Sequence, residues 1–401
     1  MGGKGWLAGS VGVVVLALAA EAGSSYVIGQ RLAERLPERV SALAQAQPGL
    51  DLKVTRLHTG IWGSEAVVRA TMTNAGSRRL REATGAGVVF RTPLTIAHGP
   101  VLWSDGAPRF GAASFQGPVR LTEATAEALR SLTAEGHTWK LPLDGTPVRL
   151  TGEVAFGGEI LVEGRSPPYE GPVASQQRAD GEQTLAMTWE GGRFTTEVGP
   201  QGEAVTSTVQ WPRLRLADSD LSVTLAGAHS ESTFQKQAGA GFWTGEATFT
   251  LDRLRLERAA GEEERAIRLG DMHLHYGLAE KSASDYDLTL GVRSGAVALP
   301  GGETRGIRLT GTRLAMALQG IPGKTLQQAV AMSRSDGPGG FGGKPQAGLR
   351  LLRELVQAGP RLQIKELRLA GESGTIQAQG SADFGDNAPR GLHPALLLQA
   401  L

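Results

Sequence analysis

The 401-residue chain contains no cysteine. Disulfides, thiolate metal sites and cysteine nucleophiles are therefore excluded, while the compartment stays open. Aromatic residues make up only 5% of the chain, so any core must be built from Leu, Val, Ala and Ile. Charge of one sign is also missing. Lys and Arg total 41 against 40 Asp and Glu, a formal net charge of +1. Nucleic-acid binders carry a basic excess in clusters, and this chain has neither, so that class of partner is set aside. Long hydrophobic runs are absent too, with one exception at the start.

That exception is Trp6 to Ala20, WLAGSVGVVVLALAA, with Lys4 before it and Glu21 behind. A membrane span takes about 20 apolar residues, so the run alone is short. Two readings stand. Ala17-Leu18-Ala19 offers the small-x-small site of a cleaved signal peptide. Alternatively the span continues through Tyr26, Val27 and Ile28 as an uncleaved anchor, which is the reading we prefer. Both export the bulk of the chain. Arg31, Arg35 and Arg39 lie close by, so flanking charge does not settle orientation.

Beyond the run, Leu32, Leu36, Val40 and Leu43 form one helical stripe, restarted at Pro37. From Leu50 the apolar period changes to two, with Gly, Pro, Asn and Asp marking turns about every ten residues, as in a large antiparallel sheet. Helices are expected at 121–136 and 325–334, the second with a capping box of Thr325 and Gln328. Leu349, Leu352, Leu355 and Val356 share a further helical face. The organisation expected is a signal anchor or transmembrane helix at 1–28, a connecting helix at 29–48, an antiparallel β domain at 49–320, a helical excursion with a Gly/Pro loop at 321–360, and returning strands with a C-terminal segment at 361–401.

Four segments share an unusual phase: VQWPRLRL (209–216), FTLDRLRL (249–256), IRLGDMHL (267–274) and LQIKELRL (362–369). Each alternates correctly, then slips by one residue. A slip of one sends every later side chain to the opposite face. A β-bulge restores the phase while bending the strand. The alternative is a hairpin turn between two short strands. The bulge reading predicts long strands, one apolar face and a curved sheet, with Trp211 and Leu214, Leu251 and Leu254, Leu269 and Met272, Ile364 and Leu367 each sharing a side.

Other positions carry a family signal. Tyr26 and Gly29, then Gly60, Ile61, Trp62 and Ser64, then His98, Gly99 and Pro100, resemble the motif steps of the YdgA-like family of Gram-negative envelope proteins, domain of unknown function 945. Gly63 departs from the family's more usual Ser, and the chain ends sooner than typical members. The resemblance implies an N-terminal anchor in the inner membrane, a periplasmic body, and no known chemistry.

Candidate chemistry is sparse. His98 begins a turn set by Gly99 and Pro100, with no Ser, Asp or second His at an informative spacing, so no catalytic residue is assigned. Asp271, His273 and His275 fall on one strand face at i, i+2 and i+4, weak candidates for a Zn or Ni site. Their neighbours Met272, Leu274 and Tyr276 would line the core, which leaves the histidines on the wet side. Asp218-Ser219-Asp220 and Glu262-Glu263-Glu264 read as loop acids. GESG (371–374) lacks a nucleophile elbow, and SDGPGGFGGKP lacks the Lys-Ser/Thr of a phosphate loop. The expectation is a membrane-tethered, mainly β scaffold without cofactor or catalysis, binding a phospholipid or an envelope protein on a concave apolar face. The competing readings are a structural envelope protein with a filled face, and a His- or metal-dependent hydrolase.

Overall fold

The computed structural model of the chain describes residues 50–59, 63–72, 81, 87–98, 101–104, 107–131, 137–139, 148–178, 181–200, 202–237, 242–260, 263–282, 284–299, 307–334, 354–372 and 374–384. The expected helices at 1–28 and 29–48 lie outside these residues. Among the described residues no helix is long and apolar enough to cross a membrane. The chain divides into two compact units, Met1–Glu231 with Leu254–Ala266, and Ser232–Arg253 with Ile267–Leu401.

The first unit holds β1 (Leu50–Thr59), β2 (Gly63–Met72), β3 (Val89–His98), β4 (Val101–Ser104), β5 (Ala107–Phe110), β6 (Ala113–Leu121), helix α1 (Glu123–Ser131), β7 (His137–Trp139), β8 (Val148–Val154), β9 (Ile160–Ser166), β10 (Tyr169–Arg178), β11 (Gly181–Trp189), β12 (Gly192–Val198) and β13 (Ala204–Ala217). Antiparallel pairing runs β1-β2-β3-β6-β8-β9-β12-β13. Period-two alternation builds one buried face here. Leu150, Val154 and Val162 are each 0% exposed. Large and small residues are matched across strands. Phe115 lies over Gly152, and Phe194 over Gly164, where an added Cβ would stand 1.9 Å from the ring. A sequence with few aromatics thus fills part of its core by seating these two rings on neighbouring glycines. Thr122 accepts from the Thr125 amide to open α1, and the buried Thr125 hydroxyl bonds Gly87 and Val89 backbone.

The slip in VQWPRLRL lies inside one continuous strand, β13. It is not, however, the one-strand bulge expected. Phe194 pairs Val209 and Trp189 pairs Leu214, so both chains advance equally across it. The partner breaks at the same level, between β11 and β12 at Glu190-Gly191, where Gly191 has φ 91°. The next pair of strands, β9 and β10, breaks there too, at Pro167-Pro168 (Ser166 pairs Gly192, Tyr169 pairs Trp189). Each neighbour interrupts its ladder together, so phase is restored without a change of register. Arg213 ties the line to Glu190 by a 3.3 Å ion pair.

Strands β14 (Leu221–Lys236), β15 (Trp243–Ala260) and β16 (Glu263–Ser282) contribute residues to both units. The second unit adds β17 (Asp285–Ser294), β18 (Ala296–Leu299), β19 (Ile307–Pro322), helix α2 (Gly323–Arg334), β20 (Arg361–Gly371) and β21 (Gly374–Asp383). Pairing is again antiparallel, β16 with β17 and β18, both with β19, then β20 and β21. β16 passes its slip at Gly270-Asp271 in the same shared manner. Asp271 has φ 48°, and the opposing chain breaks at Gly295, whose amide donates to the Gly270 carbonyl at 2.9 Å. β20 carries the expected one-residue bulge. Ile364 pairs Gly380 while Leu367 pairs Ala378, three residues against two.

All four segments lie within single strands, none reverses, and no member of the four apolar pairs is exposed. Helix α2 begins at Gly323, ahead of the expected Thr325 cap. Thr325 is buried instead, inside the first turn. Residues 354–357 are helical, with Leu355 and Val356 half-buried.

Candidate functional site

Register places the apolar residues of the second unit on one face, in rows. Leu274, Val292, Leu314, Leu367 and Ala378 are mutual cross-strand partners from β16 to β21. The next row is Tyr276, Leu290, Met316, Ile364 and Gly380, and the next Leu278, Leu288, Leu318, Leu362 and Ala382. The bulge at Lys365 is what keeps Leu367 in line with Leu314; without it β20 would turn its second leucine pair to the polar side. Three rows over five strands make a surface roughly 13 Å by 19 Å.

Apart from one end, the side chains of this surface are half-buried or exposed. Side chains in a sheet shield one another sideways, which leaves them half-buried until a second layer covers them. Leu274, Val292, Leu314, Met316, Ile364 and Leu367 are all in that state, and Tyr276 and Leu290 are 38% and 39% exposed. One end is covered. There Leu278 and Tyr286 are buried with Phe242, and Leu326 of α2 packs on them beside Leu288. Phe242 meets Tyr286 edge to face at 5.0 Å. Burial, with the nearby Glu280 charge second, pushes the Tyr286 hydroxyl above its ordinary value of 10.0.

The motif residues are only partly described. Gly60, Trp62, Gly99 and Pro100 lie outside the described residues. Ser64 is buried near the start of β2, opposite Ile96, and His98 ends β3 opposite Ala113. The two motifs therefore come together at one end of the β2–β3 pair, a proximity no linear spacing reveals. Gly63 is required there, since a Cβ would stand 2.9 Å from the Ile96 carbonyl oxygen.

Asp271, His273 and His275 are not drawn into one cluster. The Asp271 carboxylate packs over Gly295, and His273 sits directly opposite Arg293, a cation that opposes a metal ion. Among the described residues no group of three or more His, Cys, Asp or Glu could hold a metal. Asp218 is a turn residue, its carboxylate accepting the Asp220 and Leu221 amides at 2.7 Å each.

A family model described as a bacterial protein of unknown function, DUF945, matches residues 4–401. No curated protein and no solved structure matches the chain.

Proposed function

We propose that this chain, which belongs to the DUF945 family, is a non-enzymatic envelope scaffold that binds lipid acyl chains on the apolar face of β16, β17, β19, β20 and β21. The observation that carries the reading is the half-exposed apolar row structure between Leu274 and Leu278, unbroken by any charge across five strands. Contiguous exposed apolar patches on soluble domains mark interaction surfaces. The residue types favour hydrocarbon over protein. Protein hot spots are enriched in Trp, Tyr and Arg and poor in Leu, and this face is aliphatic with one tyrosine. An acyl chain offers no hydrogen bonds and asks for none. The hydrophobic run at Trp6–Ala20 supports tethering to the inner membrane, with the body in the periplasm.

Native mass spectrometry of the detergent-extracted protein tests the binding. Phospholipid masses should co-purify with the wild type and be lost from the Leu290→Glu, Met316→Glu double variant. A lipid-free wild type, or a variant that keeps its lipid, overturns the reading. A C-terminal reporter active only in the cytoplasm should stay silent; activity would contradict the periplasmic placement.

The wholly buried Leu150, Val154 and Val162 favour a structural role for that part of the first unit.

A further inference from the structure

The polar side of the same sheet carries a second pattern. His273 pairs Arg293, Arg293 pairs Arg313, Arg313 pairs Arg368, and Arg368 pairs Gln377. Three arginines thus stand shoulder to shoulder on consecutive strands, about 4.8 Å apart. Like charges directly opposite one another destabilise a sheet. An ordinary solvated face alternates sign, and this row does not. All three side chains are exposed. The row on one side runs His275, Gly291, Ala315 and Glu366, and the row on the other holds Gly311 and Ala370, so the only long side chains beside the arginines there are His275 and Glu366.

The acids nearby do not neutralise the row. Glu366 holds Arg313 at 3.3 Å, and Asp271 is turned onto Gly295. Arg293 and Arg368 make no ion pair among the described residues. Two uncommitted guanidinium groups therefore flank a third that is held by a single carboxylate, their backbones roughly 10 Å apart and their long side chains free to converge.

We propose that Arg293, Arg313 and Arg368 form a binding site for a phosphate-bearing anion. A carboxylate is satisfied by one guanidinium, and Glu366 engages only Nη1 of Arg313, at 3.3 Å to each oxygen. A phosphate dianion presents three terminal oxygens and accepts from two or three arginines together, which suits a row of parallel forks better than any single carboxylate. The chemistry is shared by a free di- or polyphosphate and by an anionic lipid headgroup. Because successive residues of a strand point to opposite faces, this site lies across the sheet from the apolar surface. It does not depend on the acyl-chain reading.

Calorimetry of the full chain with inorganic pyrophosphate, and sedimentation with phosphatidylcholine vesicles lacking or containing phosphatidylglycerol, test the proposal and separate the two sources. Binding should fall at least about tenfold in Arg293→Gln, Arg368→Gln, the loss expected for two charge-assisted contacts. Arg361→Gln, an exposed arginine at the far end of β20, should bind as the wild type does. Glu366→Gln releases Arg313 and should tighten binding several-fold, a gain that no folding defect imitates. Loss with pyrophosphate identifies a soluble phosphate, and loss with phosphatidylglycerol vesicles alone identifies a headgroup. The proposal is overturned if the wild type binds neither probe, if the double variant binds unchanged, or if Glu366→Gln weakens binding.

Discussion

The two units use the same alternation to opposite ends. In the first, Leu150, Val154 and Val162 are wholly buried and rings sit on glycines. In the second, leucines in equally regular rows stay half-exposed, with small residues only along β21. The contrast shows that apolar patterning specifies which face is apolar and leaves open whether that face is covered. Size matching across strands lets a face pack closely, and the apolar rows of the second unit show no aromatic–glycine pair of that kind.

The sharpest way to break this contrast is to remove one large side chain from each unit. Phe194→Ala should cost about 3–5 kcal/mol, since it opens a cavity above Gly164 in a close-packed region. Leu314→Ala should cost about 1 kcal/mol, because much of its surface already meets solvent. Chemical denaturation of both variants measures the difference. Equal losses would mean that the second face is covered as well as the first.

The bulge in β20 makes the next test. Deleting Lys365 removes the extra residue and sends Leu367 and Leu369 to the polar side, which should cost about 2 kcal/mol in lost burial. Lys365→Ala keeps the count and should be neutral. If the deletion is tolerated as well as the substitution, register in this sheet is not held by the apolar rows.

Much of this was legible in sequence, and the limits have a physical reason. The phase slips at Pro212-Arg213, Asp252-Arg253, Gly270-Asp271 and Lys365-Glu366 announce continuous strands that keep one face apolar, and all four are continuous. What a single strand cannot say is how its neighbour responds. At Pro212 the partner breaks at Gly191, and at Gly270 it breaks at Gly295, so two of the expected bulges are shared interruptions. The helix start at Gly323 was missed because Thr325 resembles a cap locally, while its burial is set by tertiary packing. The arginine row was invisible for the same reason. Arg293, Arg313 and Arg368 are far apart in the chain and meet only through register.

A smaller effect comes from charge on the apolar face. Leu290→Glu and Met316→Glu place carboxylates where water already reaches, so the pair should shift stability by no more than about 1 kcal/mol while eliminating retained lipid. A collapse of the fold on this substitution would show the face to be core rather than surface.

The smallest expected effect concerns the covered end of that face. Tyr286 is buried beneath Leu326 and Phe242, and its hydroxyl is held above the ordinary value of 10.0. In the unfolded chain the phenol loses its proton near that value, whereas in the folded chain it keeps it longer. The unfolded state therefore gains charge and solvation first, and stability should decline as pH rises past about 10. Below that pH both states are protonated and the group contributes nothing to the slope. Tyr286→Phe cannot ionise, so its alkaline decline should be shallower than that of the wild type. Phe should also preserve the edge-to-face contact with Phe242, so stability at neutral pH should hardly change. Thermal unfolding followed between neutral pH and pH 11 compares the two slopes. Parallel declines would mean that the end capped by α2 is as open to water as the rows beside it.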